Sequence, residues 1–298
     1  MNTTYPQHFI TAKLLRLSQK ERATLWVGAA LIVIAVLAPP LKHSGYSHPF
    51  ADGRTLWGVP NALDVLSNVA FVVWGVVGLL GLLAVGRAQT SPLRHLVSPL
   101  RSVAFLFFSG LMITGAASAY YHLTPNNDGL AIDRLGMVVA FAGMLGLAAA
   151  ERVSVRAGMI CALATMVFGV LSVAVWAGTG NVLPWGVVQF GGMAGVVALA
   201  FAAPVSQTMS SSVSRSVPQE TTRSTPPPIA PSSTPPIAWG WVIAIYALAK
   251  ACELADSQIY AFSQQLISGH SLKHLIAACA AAPVVWALCL YSSSALEA

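Results

Sequence analysis

Eight apolar stretches, each close to the length of a lipid-crossing helix, decide what this chain can fold into. Crossing roughly 30 Å of hydrocarbon takes about 20 residues per helix. Such stretches run near 23–39, 61–86, 102–121, 131–150, 157–177, 184–205, 237–256 and 269–291. Within lipid every backbone polar group needs a partner inside the structure, so stretches of this length are predicted to be helices. Composition removes the soluble alternative: only 9% of the 298 residues are charged, against about 25% in soluble domains. The expected fold is all-α, a polytopic transmembrane helix bundle.

The loops carry the orientation. Lys13, Arg16, Lys20 and Arg22 precede the first stretch, and Arg87, Arg94 and Arg101 follow the second. Arg152 and Arg156 follow the fourth, and Arg215 and Arg223 follow the sixth. The alternate loops hold only Lys42 and Arg54. An excess of basic residues marks cytoplasmic loops, so both termini are expected in the cytoplasm of a multi-pass protein. The first stretch ends in Ala38, Pro39 and Pro40 with no A-x-A cleavage pattern, and is read as an uncleaved helix. Residues 206–236, rich in Ser, Thr and Pro, are predicted to form a disordered linker. The basic residues are scattered rather than patched, which excludes nucleic acid as a partner. Cys161, Cys252, Cys279 and Cys289 lie in apolar runs without a CxxC pair, the pattern of buried apolar residues rather than of a disulfide framework. Trp57, Trp185, Trp239 and Trp241 fall near stretch ends, as an interfacial aromatic belt requires.

Ionisable residues inside membrane spans are functional candidates by default, and here they gather at one face. The third stretch ends in Ser118 and His122, the fourth opens with Asp133 and Arg134, and the eighth with His270, Lys273 and His274. On a helix, His270 and His274 project from one face about 5 to 6 Å apart at Cβ, and a third histidine would complete the three-ligand, open-position arrangement of a catalytic zinc site. Each residue alone has a plainer reading. The histidine pair suits interfacial hydrogen bonding equally well, His122 a helix-end cap, Asp133 an N-cap or first-turn acid, and Ser118 a small packing residue. Glu253 and Asp256 either orient the histidines or, for Glu253 first, pair with Lys250 at i, i+3. Lys273 is expected to face away and snorkel, and Arg134 to pair with a lipid headgroup or with Glu253. Asn61, Asp64, Ser67 and Asn68 are expected to form interhelical hydrogen bonds first, and to bind substrate second.

Taken together, Ser118-x3-His122, Asp133 and His270-x3-His274 resemble the alkaline ceramidase family, within the wider membrane hydrolase superfamily that includes the adiponectin and progestin receptors. Asn61-Ala-Leu-Asp-Val-Leu-Ser67-Asn68 resembles the start of the first core helix in ceramidases, and FADGRTLWGVPN at 50–61 and SGHSLKH at 268–274 look like the bacterial branch. The resemblance runs from about Phe50 to Tyr291. It implies a seven-helix hydrolase core plus one extra N-terminal transmembrane helix. Residues 1–49 then carry the N-terminus, the extra helix and the start of a loop, 50–205 the first five core helices, 206–236 the linker, and 237–298 the last two core helices. It also implies a Zn2+ ion on His122, His270 and His274, with Asp133 and Ser118 as catalytic residues.

The activity so implied is zinc-dependent cleavage of ceramide, or a ceramide-like N-acyl membrane lipid, to a fatty acid and an amine, in a bacterial inner membrane. The chain departs from the eukaryotic members, whose acid-rich loop before the first core helix binds calcium: residues 40–60 hold one acid, Asp52, and no matching calcium site is expected. Two other function classes fit some of the same residues. A receptor-like ligand sensor would hold a structural zinc. A small-solute transporter would need its ionisable residues to trace a path across the membrane, and here they cluster at one face.

Overall fold

The computed structural model describes residues 17–42, 50–88, 94–202 and 237–296. The expected linker at 206–236, with Arg215 and Arg223, lies outside the described residues, as do Lys13 and Arg16. Each of the eight apolar stretches folds as helix, and no strand forms among the described residues.

Helix α1 is Gln19–Leu37. Helices α2 (Ala62–Ser67) and α3 (Val69–Ala88) make one rod interrupted at Asn68. Then come α4 (Arg94–Leu123), α5 (Asn127–Arg152) and α6 (Val155–Thr179). Helix α7 (Leu183–Gly186) runs through a π-turn at Val187–Gly191 into α8 (Gly192–Ala200). Helix α9 is Trp239–Leu254 and α10 is Asp256–Phe262. Helix α11 (Gly269–Ala278) continues through a 3-10 turn at Cys279–Ala281 into α12 (Ala282–Leu296).

Among the described residues six spans are long and apolar enough to cross a membrane: Ala62–Ala84, Leu100–Leu123, Asn127–Arg152, Val155–Thr179, Leu183–Ala200 and Gly269–Leu290. Of the other two expected spans, α9 has only 16 residues, short of the roughly 20 a perpendicular crossing takes, and α1 begins with Lys20, Glu21 and Arg22.

Helices α4 and α5 form the spine. Phe107, Phe108 and Leu111 of α4 and Val138, Phe141, Ala142 and Met144 of α5 are buried. Their axes approach closely because Gly143 has no side chain where a Cβ would press on the Phe107 backbone, the small-residue contact that membrane helix pairs use. Outward, Leu80, Leu83, Phe105, Leu163 and Leu171 are exposed, as side chains on a lipid-facing surface are.

At the opposite end from the histidines, Glu21 ties α1 to α6. Its carboxylate accepts from Arg156 Nη2 at 2.7 Å and from Ser154 Oγ at 2.6 Å, while also closing a capping box with Ser18. The Arg156 guanidinium, which outweighs the opposing effect of burial, lowers the Glu21 carboxyl from its ordinary 4.5 to about 2.

The aromatic belt is only half as expected. Trp57 and Trp241 are exposed, but Trp185 and Trp239 are buried in the bundle, where the Trp239 indole donates to Glu151 Oε2 at 2.8 Å. The cysteines also divide: Cys252 is buried and Cys161 half-buried, whereas Cys279 and Cys289 are exposed, because their helix turns them outward.

Candidate metal centre

Helix α11 owes its position to its first residues. Ser268 caps it, its hydroxyl accepting from the Ser271 amide at 3.0 Å, as an N-cap serine does. Gly269 lets the helix start lie against the end of α9, since a Cβ there would collide with the Cys252 carbonyl. Asp256 Oδ1 accepts the His270 amide at 2.8 Å, and its other oxygen accepts the Ala51 amide at 3.1 Å. One carboxylate thus joins the loop before α2 to the first turn of α11. Asp64, fully buried on α2, accepts from Ser271 at 2.6 Å and Ser268 at 3.2 Å. The rotation of α11 is thereby set from two sides.

That rotation aims His270 and His274 at His122, in the last turn of α4. The Nε2 atoms of His122 and His270 lie 3.3 Å apart. The rings of His274 and His122 have centroids 5.0 Å apart, and those of His270 and His274 4.8 Å. One nitrogen from each residue fits within a 4.8 Å circle, a group that could hold a metal ion. Phe50 packs edge-on against His122 at 4.6 Å and His270 at 5.1 Å, closing the centre from the loop side.

Surrounding bonds fix the ring orientations. The Ser67 hydroxyl donates its one proton to the Asp64 carbonyl at 3.0 Å. Its oxygen is also 2.9 Å from His274 Nδ1; where that oxygen accepts, Nδ1 carries the hydrogen and Nε2 presents a lone pair to a metal ion. Asn68 donates to the same carbonyl at 2.7 Å, and Asn61 donates to the His122 carbonyl at 2.8 Å. The polar face expected on the second stretch does bond between helices, and what it holds is the histidine cluster. Partners of this kind are what orient metal-ligating histidines. His122 Nδ1 is buried with no hydrogen-bond partner among the described residues. Three imidazoles with no thiolate among them suit a zinc ion that keeps an open position.

Compared with models of protein families, with curated proteins and with solved structures, the chain matches none. The reading therefore rests on the geometry.

A cavity of about 500 Å³ opens beside the cluster, lined by His270, His274, Ser118 and Asp133 among others. The Ser118 hydroxyl is bonded to the Asp133 carboxyl. Asp133 is not the helix cap: Asn126 caps α5, its side chain accepting the Gly129 amide at 2.7 Å, and Asp133 stands nearly two turns further in. The lining changes along each helix from polar to apolar, from Asp133 through Met137 and Phe141 to Met144 on α5, and from Ser118 through Leu111 to Phe107 on α4. The 11 residues from Asp133 to Met144 cover about 16 Å at 1.5 Å per residue. The π-turn adds Gln189 to the wall, its amide donating to Tyr246 Oη at 3.2 Å.

One expectation is corrected here. Lys273 does not snorkel away: its ammonium lies in the cavity wall, 3.0 Å from Glu253 Oε1 and 3.1 Å from His270 Nε2. Three residues apart is one helix face, and the long stem leans back over His270. The i, i+3 spacing was the signal for it. Arg134 stacks its guanidinium 4.0 Å above the Trp176 ring and 5.6 Å from Trp185. Glu253 does pair with Lys250, at 2.5 Å. Asp256 was expected to serve a histidine through its ring and serves the backbone of His270. In the loop, Asp52 is held by Arg54 in a 2.7 Å ion pair that keeps its carboxyl below the usual range.

Proposed function

We propose that this chain is an integral membrane, zinc-dependent amide hydrolase of the ceramidase type, cleaving an N-acyl lipid to a fatty acid and an amine. The observation that carries the reading is that three imidazoles converge at the polar end of a cavity whose far end is apolar. Such a cavity suits a molecule with a reactive head and a hydrocarbon tail. A zinc ion held by His122, His270 and His274 would supply Lewis acidity, polarising the amide carbonyl and acidifying a water. Asp133, across the cavity, takes a proton from the attacking water and returns it to the nitrogen as the C–N bond breaks. Once Asp133 carries that proton, the Ser118 hydroxyl turns from it and donates to the oxygen on which negative charge develops. Ser67, Asp64 and Asp256 keep the histidines in register.

In this reading α2 to α12 make a seven-helix core, with α9 crossing as its sixth member, and α1 is the additional helix. Both termini face the cytoplasm of a bacterial inner membrane, with the zinc centre at the other face. The test is to incubate purified protein with a panel of lipid amides, with and without a chelator. Fatty acid release that stops on chelation and resumes with zinc is expected. A folded, zinc-loaded protein that releases none from any amide would return the centre to a structural role in a ligand sensor.

A further inference from the structure

Two lysines share one carboxylate in the cavity wall. Glu253 Oε1 accepts from Lys273 at 3.0 Å and Oε2 from Lys250 at 2.5 Å, so both acceptor oxygens are engaged while one positive charge remains uncancelled. Lys273 has three N–H donors, of which Glu253 takes one; with His270 on a metal ion, the others are left for an incoming anion. Counting Arg134 and Asp133, the lining residues comprise three cations and two carboxylates. An excess cation in apolar surroundings is stabilised by an incoming anion, and an ammonium favours a carboxylate through short, charge-assisted hydrogen bonds.

The position of this charge selects among lipid amides. Lys273 Nζ is 3.1 Å from His270 Nε2, so a carboxylate bound to it lies one hydrogen bond, about 2.8 Å, beyond the cluster. In an N-acyl amino acid the carboxylate is attached to the carbon next to the amide nitrogen. With the amide carbonyl at the histidines and the acyl chain toward Met144 and Phe107, the carboxylate, two bonds from the amide nitrogen, comes within reach of Lys273, whose ammonium is 3.1 Å from His270. A sphingoid or ethanolamine amide has no charge to place there.

Resting on the hydrolase reading, we infer that Lys273, braced by Glu253 and Lys250, is a carboxylate-binding site on the amine side of the scissile bond, and that the preferred substrates are N-acyl amino acids rather than neutral ceramides.

The experiment compares N-oleoylglycine, N-oleoylethanolamine and oleate as ligands of the purified full chain in detergent. Binding is read from tryptophan fluorescence, since Trp185 lines the cavity, and fatty acid release is followed in parallel. N-oleoylglycine should bind about tenfold tighter than the neutral amide, a difference of one charge-assisted contact. That ratio should collapse toward one in Lys273→Met and survive in Lys273→Arg. Lys273→Met leaves Glu253 paired with Lys250, and an unchanged affinity of this variant for N-oleoylethanolamine separates charge recognition from misfolding. Equal affinities in wild type, or a preference for oleate over N-oleoylglycine that depends on Lys273, would overturn the assignment. Tight, Lys273-dependent binding of N-oleoylglycine without any cleavage would defeat the hydrolase reading and leave the carboxylate site standing.

Discussion

Ser67 Oγ lies 2.9 Å from His274 Nδ1 and 3.0 Å from the Asp64 carbonyl, so a serine on α2 braces the ring of a histidine on α11. Removing the hydroxyl takes away one of the groups that hold this ring. Loss of such a partner typically lowers metal affinity by about 10- to 100-fold. Ser67→Ala should therefore bind zinc more weakly by that factor in a competition titration with a chromogenic chelator, while remaining folded. Unchanged affinity would show that the hydrogen bond does not orient His274.

Asp133 separates catalysis from architecture. Asparagine keeps its shape and can still hydrogen-bond Ser118, but cannot accept a proton. Turnover in Asp133→Asn should fall by about 10² to 10⁴, the worth of general acid-base catalysis, with zinc content and thermal stability little changed. Normal turnover would remove Asp133 from the mechanism.

The helices and the histidine cluster were legible for a physical reason: apolar length and i, i+4 spacing are properties of the chain itself. His122, His270 and His274 could be named because few ionisable side chains enter the spans at all. What lay beyond reach were contacts set by helix rotation and by chain segments far apart in sequence. Arg134 on Trp176, Trp239 on Glu151 and Asp256 on the His270 amide all depend on how α5, α6, α9 and α11 are turned. Lys273 was misjudged despite a local signal, since i, i+3 from His270 shares its face. A hydropathy reading also cannot tell a wet belt tryptophan from Trp185, which closes a cavity.

Glu21 predicts an acid-sensitive contact. Its folded carboxyl, lowered from 4.5 to about 2 by Arg156, contributes stability that is fully present above the unfolded value. That contribution fades as pH falls from about 4.5 toward 2. Thermal unfolding in detergent should show wild type losing its advantage over Glu21→Gln across that window. A constant difference from pH 6 down to 3 would contradict the assignment.

The distribution of basic residues predicts an orientation that labelling can check. A membrane-impermeant thiol reagent applied from outside should modify a cysteine introduced at Asn126 in the α4–α5 turn, in a background lacking native cysteines, and spare one at Ser211. The reverse pattern would invert the topology and move the histidine cluster to the cytoplasmic face.

The hydrolase reading depends on whether His122, His270 and His274, whose ligand nitrogens lie within 4.8 Å of one another, bind a metal ion. Elemental analysis of the purified full chain is the direct measurement. The account predicts close to one zinc per chain in wild type and little or none in His270→Ala at equal folded protein. A wild-type protein that is folded, carries no transition metal and takes up no zinc on reconstitution would contradict it.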